Sequence, residues 1–446
     1  MKSSPRQISV EILNRIDTEG SYAEPLLDAA LAGTALSNPH DRSLLTELVY
    51  GTLRMRGSLD WIIGQLYRGN PATLETSVRN VLRTGLYQLW FTDRIPPFAA
   101  VNETVEIARS GSPAAAGLVN AILRNALRRK EGLVWPDIAE DPEKAIAVLH
   151  SHPAWLVRRL IAQLGNQETI AVCRANNAVP PFTLRVNTLK TSREEALASL
   201  QKDGVLARIT SFSPDGLVLT TPAAALRETS AYREGWLRVQ DEASQLVARL
   251  VAPEPGERLL DLCAGTGGKT LHLAALMRNE GEIKALDLHP GKLRMLSDEA
   301  KRLGTAIVET CTADAAQPPE TFRGFFSRVL VDAPCSGLGT LRRNPEIRWR
   351  LAPTDLNRCM RLQKRLLLSA ADCVKPGGRL IYSVCTVTPE ENEIVIADFL
   401  RKRTDFGSVP PLNLPGVLID SRGFLRTSTP HHDMDGFFGA ILLRAS

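Results

Sequence analysis

From residue 258 onward the chain repeats one simple unit, and that repeat restricts the folds open to it. A short apolar run ends at an acidic residue, a polar turn follows, and a helical stretch comes next. Arg258-Leu259-Leu260-Asp261-Leu262 opens the series, and Glu282 to Leu286 ends at Asp287. Ala306 to Thr310 precedes Asp314, and Arg328-Val329-Leu330-Val331-Asp332 is the fourth run. Arg379 to Val384 leads into Cys385, and Phe437 to Leu443 is expected to close the sheet. Apolar runs this short, separated by helices, read as buried strands of βαβ units. The expected fold is α/β, with a Rossmann-like, mostly parallel, doubly wound sheet. Ligands of such sheets sit at the carboxyl ends of the strands. Asp261, Asp287, Asp332 and Cys385 all fall at or near such ends.

A chain of 446 residues is too long for one core, so further domains are expected. Residues 5–130 read as helices, with Ile8, Ile12, Leu13 and Ile16 at helical spacing. Pro96-Pro97 and Ser112-Pro113 interrupt that pattern. Trp135-Pro136 and Asp141-Pro142 mark a linker, giving an all-helical domain over 1–143. Residues 144–235 read as a linker and a small α/β subdomain. It holds strands at Phe182 to Asn187, Val205 to Thr210 and Leu217 to Thr220, and a helix from Ser192 to Leu200. Ser192 is suited to cap that helix. The βα repeat occupies the third domain, 236–446.

The net charge of +5 is modest, and residues 1–150 hold 16 Lys and Arg against 17 Asp and Glu. The basic residues concentrate later. Arg342, Arg343, Arg348, Arg350, Arg358, Arg361, Lys364 and Arg365 face only Glu346 and Asp355 within 341–365. Such a block suits a polyphosphate backbone, or else a solvated helix face. Seven cysteines, an odd number with no C-x-x-C pair, argue against a zinc site or a disulfide framework. Each is by default a small buried hydrophobe. No run of 18 apolar residues occurs, so no membrane span is expected. The start, Met1-Lys2-Ser3-Ser4-Pro5-Arg6, lacks the apolar core of a signal peptide. A cytoplasmic monomer with no metal is the expectation.

The strongest local signal is Asp261-Leu262-Cys263-Ala264-Gly265-Thr266-Gly267-Gly268-Lys269-Thr270. Glycines here let a ligand approach the backbone, and a helix N-terminus follows. A P-loop would need Gly at 263, which is Cys; a dinucleotide fingerprint from Gly265 would need Gly at 270, which is Thr. Asp287, at the end of the next strand, can accept the ribose hydroxyls of an adenosine-containing cofactor. Asp314 falls where the adenine would lie. One such Asp alone is as readily a helix cap. Successive units carrying one each, beside a Gly-rich turn, favour cofactor binding.

Two cysteines follow neighbouring strands, in Asp332-Ala333-Pro334-Cys335-Ser336-Gly337 and in Tyr382-Ser383-Val384-Cys385-Thr386. These runs, with Thr388-Pro389-Glu390-Glu391-Asn392, resemble the fourth and sixth motifs of the RNA cytosine-5 methyltransferases of the Sun (Fmu) type. Arg185-Val186-Asn187, Gln240-Asp241-Glu242-Ala243-Ser244 and Arg343-Asn344-Pro345-Glu346-Ile347-Arg348-Trp349 resemble family segments too. Gly265-Thr266 stands where the family usually has Ala-Pro, and Val384 where it usually has Thr.

The resemblance implies S-adenosyl-L-methionine as cofactor, bound by Cys263, Ala264, Gly265, Thr266, Gly267, Gly268, Lys269, Asp287, Asp314 and Asp332. It implies that Cys385 attacks carbon 6 of cytosine, that Cys335 assists product release, and that Asp332 and Lys269 stabilise the activated ring. Asp41 to Gly51, Val101-Asn102-Glu103 and Leu118 to Arg124 resemble the helical protein NusB. That combination implies 16S ribosomal RNA as substrate and an RNA-binding role for the helical domain. A transfer-RNA enzyme sharing the catalytic motifs, or a non-catalytic assembly factor keeping the fold, are the alternatives.

Overall fold

A computed structural model gives the architecture and describes residues 4–33, 36, 38–221 and 223–446. Met1-Lys2-Ser3, part of the start read above, lies outside them. The chain divides into two compact units, Met1–Val179 with Leu341–Leu351, and Pro180–Thr340 with Ala352–Ser446.

The first unit is helical. Its longer helices are Pro5–Glu19, Ala23–Ala32, Pro39–Leu66, Thr76–Phe91, Pro97–Gly111, Pro113–Arg128, Pro142–Leu149 and Ala154–Asn177. Several start on proline at the first turn, where the missing N–H costs nothing. The Ser4 hydroxyl accepts from Gln7 N and the Asn38 side chain from His40 N, capping two of them. Leu48, Leu59, Ile62, Leu82, Leu86 and Leu123 form a dry core.

One stretch of the chain from the βα region belongs to this unit. Ile347–Arg350 is a single helical turn within Leu341–Leu351. Arg348, one of the basic residues read as a possible phosphate contact, is fully buried here. Its guanidinium donates to Ser151 O, Asn176 O, Leu341 O and Asn177 Oδ1 at 3.1, 3.1, 3.2 and 2.7 Å. Trp349 Nε1 donates to Leu53 O at 2.9 Å, and Ala23 N donates to Glu346 Oε1 at 3.0 Å. The segment is an anchor, held by groups that must be satisfied once buried.

The second unit holds two sheets. The smaller contains β1 (Thr183–Val186), β2 (Ala207–Ile209), β3 (Gly216–Leu219) and β4 (Leu237–Val239) in the antiparallel order β2-β3-β1-β4. Its helix Arg193–Lys202 begins with a reciprocal capping box between Ser192 and Glu195. Pairing of β4 with β1 carries this sheet past residue 236.

The larger sheet contains β5 (Arg258–Asp261), β6 (Glu282–Asp287), β7 (Val308–Thr312), β8 (Phe326–Asp332), β9 (Val374–Val384), β10 (Phe406–Val409), β11 (Leu425–Arg426) and β12 (Phe438–Arg444). Its order is β10-β12-β9-β8-β5-β6-β7, with β11 paired to β12. The five strands β9-β8-β5-β6-β7 are parallel, and β12 and β10 join antiparallel. Phe438–Arg444, expected to close the sheet, is therefore the second strand from the edge. The edge strand, Phe-Gly-Ser-Val, is short and half polar and gives almost no periodic signal. The chain runs outward from β5 on both sides, so the switch point of the sheet lies at the carboxyl ends of β5 and β8.

Candidate active site

The turn after β5 is shaped by its neighbours. Leu262 N donates to Leu330 O and Ala264 N to Leu286 O, both at 2.9 Å, which pins the turn between β8 and β6. Gly267 caps the helix Gly268–Leu276 at φ +82°, and a Cβ there would lie 2.5 Å from Leu296 Cγ. Only glycine satisfies both conditions.

Cys263, Ala264, Gly265, Thr266, Gly268, Lys269 and Asp332 line one cavity of about 250 Å³. Of the residues expected to hold a cofactor, these seven come together. Gly267 shapes the turn behind them. Asp287 Oδ2 accepts from Gly265 N at 3.0 Å, and its Oδ1 accepts from His289 N at 2.9 Å. Asp287 thus braces the loop while being nearly buried. Asp314 is exposed and accepts from Ala316 N at 2.8 Å, an ordinary turn cap outside the cavity lining.

Two further residues line the cavity, Ser244 and Asp261. Asp261 Oδ2 accepts from the Thr270 hydroxyl at 2.7 Å, whereas Oδ1 is buried and has no hydrogen-bond partner. Burial raises the Asp261 pKa to about 6, against the opposing pull of the Thr270 bond. Its strand-end position was visible in the sequence. The unpartnered oxygen was not.

Lys269 Nζ donates to Asp332 Oδ2 at 2.6 Å, and the Ser383 hydroxyl donates to Oδ1 at 3.0 Å. Burial works against the Lys269 charge, but Asp332 outweighs it and the ammonium pKa is raised. Its Nζ also sits 5.1 Å from the centroid of the Phe437 ring. Asp332 thus carries one charged and one neutral donor.

Parallel pairing of β8 with β9 sets Asp332 beside Ser383 and brings the two following loops together. The Cys335 and Cys385 sulfurs are 3.3 Å apart, and both thiols are free. The Cys385 sulfur beside it, and then burial, push the Cys335 pKa well above its ordinary value. Gly339 N donates to Cys385 O at 3.0 Å, and Gly436 N donates to Gly339 O at 2.8 Å. A Cβ on Gly339 would lie 1.8 Å from Gly436 O, so no other residue allows this approach.

Comparison with known proteins decides the family. The profile described as "16S rRNA methyltransferase RsmB/F" matches residues 248–443. A NusB family profile matches 3–128, and a ferredoxin-like domain profile of RsmF/B-like methyltransferases matches 152–225. The chain is 38% identical over 445 residues to the Bacillus subtilis protein described as "Probable ribosomal RNA small subunit methyltransferase B", covering 98% of each chain. The chain belongs to the 16S rRNA methyltransferase RsmB/F family.

The Klebsiella pneumoniae family member, "Ribosomal RNA small subunit methyltransferase B", is 35% identical over 97% of this chain and 99% of its own. The crystal structure of PH0851 covers 98% of both chains at 32% identity, with a TM-score of 0.84. The RsmB/F assignment makes the chain an rRNA methyltransferase enzyme, and methyltransferases of this family imply S-adenosylmethionine as methyl donor. No helix among the described residues is long and apolar enough to cross a membrane.

Proposed function

We propose that this enzyme transfers a methyl group from S-adenosyl-L-methionine to carbon 5 of a cytosine in 16S ribosomal RNA, through a covalent bond between Cys385 and the base. The observation that carries this reading is the thiol pair, 3.3 Å apart, in the loops that follow β8 and β9, beside the Asp332–Lys269 pair. Carbon 5 of cytosine is a poor nucleophile. A thiolate added at carbon 6 makes it enamine-like.

The residues fit the donor. The unpartnered Asp261 oxygen suits its ammonium group, and the backbone of 263–268 leaves room for close approach. Asp287, one hydrogen bond from Gly265, is assigned to the ribose, and Asp314 to the adenine side. When bound, the donor supplies an electrophilic methyl group. Every other part of the chemistry falls to the chain.

Cys385 Sγ forms the bond to carbon 6. Asp332, oriented by Lys269 and Ser383, stabilises the activated ring by hydrogen bonding and charge. Once carbon 5 is methylated its proton passes to water, the sulfur–carbon 6 bond breaks, and that bond's electron pair returns to Cys385 as a thiolate. Cys335, whose pKa is raised by the adjoining sulfur and by burial, can donate its proton to the departing sulfur and regain it from water. The target base must leave its stack to reach these groups. Residues 1–143 are assigned as the NusB-like RNA-binding domain, 144–235 as linker and RNA-binding subdomain, and 236–446 as the catalytic domain.

Bisulfite mapping of 16S ribosomal RNA from a strain lacking this gene tests the substrate. Loss of one methylcytosine, restored by wild-type protein but not by Cys385→Ala, is expected. Loss confined to transfer RNA would overturn the assignment.

A further inference from the structure

Glu391 is fully buried, yet each group bonded to its carboxylate is neutral. Its Oε1 accepts from the hydroxyls of Ser336, Thr386 and Thr388, the last two at 3.2 and 2.9 Å. Its Oε2 accepts from Ser336 N at 2.8 Å and Gln363 Nε2 at 2.9 Å. Gln363 Nε2 also donates to Pro334 O at 3.0 Å. The Glu391 carbonyl accepts from the Tyr382 hydroxyl at 2.7 Å.

The placement of these partners matters more than their number. Pro334 and Ser336 flank Cys335, and Thr386 follows Cys385. One carboxylate therefore bonds to both thiol-bearing loops at the residues adjoining the sulfurs. Ser336 Oγ and Thr386 Oγ1 lie 2.8 Å apart, brought together by the carboxylate oxygen to which both donate. A carboxylate is an acceptor at both oxygens and can take this many donors; an amide cannot without turning some of them round. Burying an ion among neutral groups is costly. Five converging donors are what compensates it.

We propose that Glu391 is a positioning residue that sets the separation of the Cys335 and Cys385 sulfurs, acting through Ser336 and Thr386. Its catalytic consequence rests on the proposed methyl transfer; the positioning itself does not. Glu391→Gln should largely retain the geometry, because two of the three hydroxyls on the Oε1 side can rotate to accept from the two N–H groups of the new amide. Glu391→Ala removes the shared acceptor: Ser336 N loses its partner, and the Ser336 and Thr386 hydroxyls are left with each other. Glu391→Asp keeps the charge but withdraws it by one methylene, so it reaches one loop at the expense of the other.

The test uses full-length protein and phenylarsine oxide, which bridges two thiols only when they are held a few ångström apart. The bridge between Cys335 and Cys385 is mapped by peptide mass spectrometry. Glu391→Ala is expected to weaken bridging by about tenfold, and kcat to fall about 100-fold with KM little changed, as for a misplaced reacting group. Glu391→Gln should restore both readouts to near wild type. Where Glu391→Ala does not fold, Glu391→Asp is expected to shift bridging in the same direction. Tyr382→Phe, which removes a bond to the Glu391 carbonyl alone, should leave bridging unchanged. Wild-type bridging in folded Glu391→Ala or Glu391→Asp would overturn the proposal. Because bridging does not require methyl transfer, it fails separately from the proposed function.

Discussion

At the residue scale the site is a set of charges placed where each has a task. Asp261 gives the clearest consequence. Its pKa is raised to about 6, so the cavity carboxyl loses its charge below that pH. An ammonium group on the donor needs the charged form. Cofactor affinity, measured by calorimetry, should therefore fall as pH drops below about 6, by up to tenfold per unit. Asp261→Asn should bind weakly and without that slope. Lys269→Met should leave Asp332 with Ser383 alone and cost about 2–3 kcal/mol of transition-state stabilisation, read as a loss in kcat/KM. Cys335, Cys385 and Asp332 were legible from their places at or just after strand ends, and Lys269 from the Gly-rich turn. The Ser383 bond to Asp332 and the role of Glu391 were not legible there. Their work depends on which loops meet in space, and β8–β9 register decides that.

At the scale of elements, the small sheet is tied to the large one by a buried cluster. Asp215, in the turn before β3, accepts from Arg249 of helix Glu242–Val251 and from His272 of helix Gly268–Leu276. Burial first, and then the nearby Arg185, lower the His272 pKa to about 4 in spite of Asp215. A histidine whose folded pKa is depressed binds fewer protons than the unfolded chain between pH 4 and 6.5. Stability is then lost as pH falls through that window, by about 3 kcal/mol. Asp215, lowered to about 2 by its His272 and Arg249 bonds against burial, loses its own contribution only below about pH 4. Urea unfolding at pH 7 and pH 5 should show the first loss, and His272→Gln should flatten it. The elements themselves were mostly legible. Strands at 258, 282, 328 and 379 announced themselves by apolar runs bounded by turns. The edge strand β10 and the short β4 were not legible, because three or four half-polar residues carry too little periodicity.

At the scale of the whole molecule, the most consequential feature is the excursion of Leu341–Leu351 into the helical unit. Charge counting made 341–365 a candidate for phosphate contact. Arg348 cannot serve, because it is buried and donates to backbone carbonyls and to the Asn177 amide oxygen. Charge is read from sequence and burial is not. Arg348→Ala should destabilise the helical unit by about 3 kcal/mol, since several buried acceptors lose their donor. Removal of residues 1–179 should expose Ile347 and Trp349 and raise dye binding to apolar surface. A fragment of 180–446 that is as soluble and cooperative as the full chain would contradict this.

The central claim is the covalent step at Cys385. Cys335→Ala protein, incubated with 16S ribosomal RNA and S-adenosyl-L-methionine and then denatured and digested, reports on it directly by mass spectrometry. An accumulated adduct in which the Cys385 peptide carries a methylated cytosine nucleotide, abolished by Cys385→Ala, is the expected result. Methylation at the wild-type rate by Cys385→Ala, with no adduct on any cysteine, would contradict it.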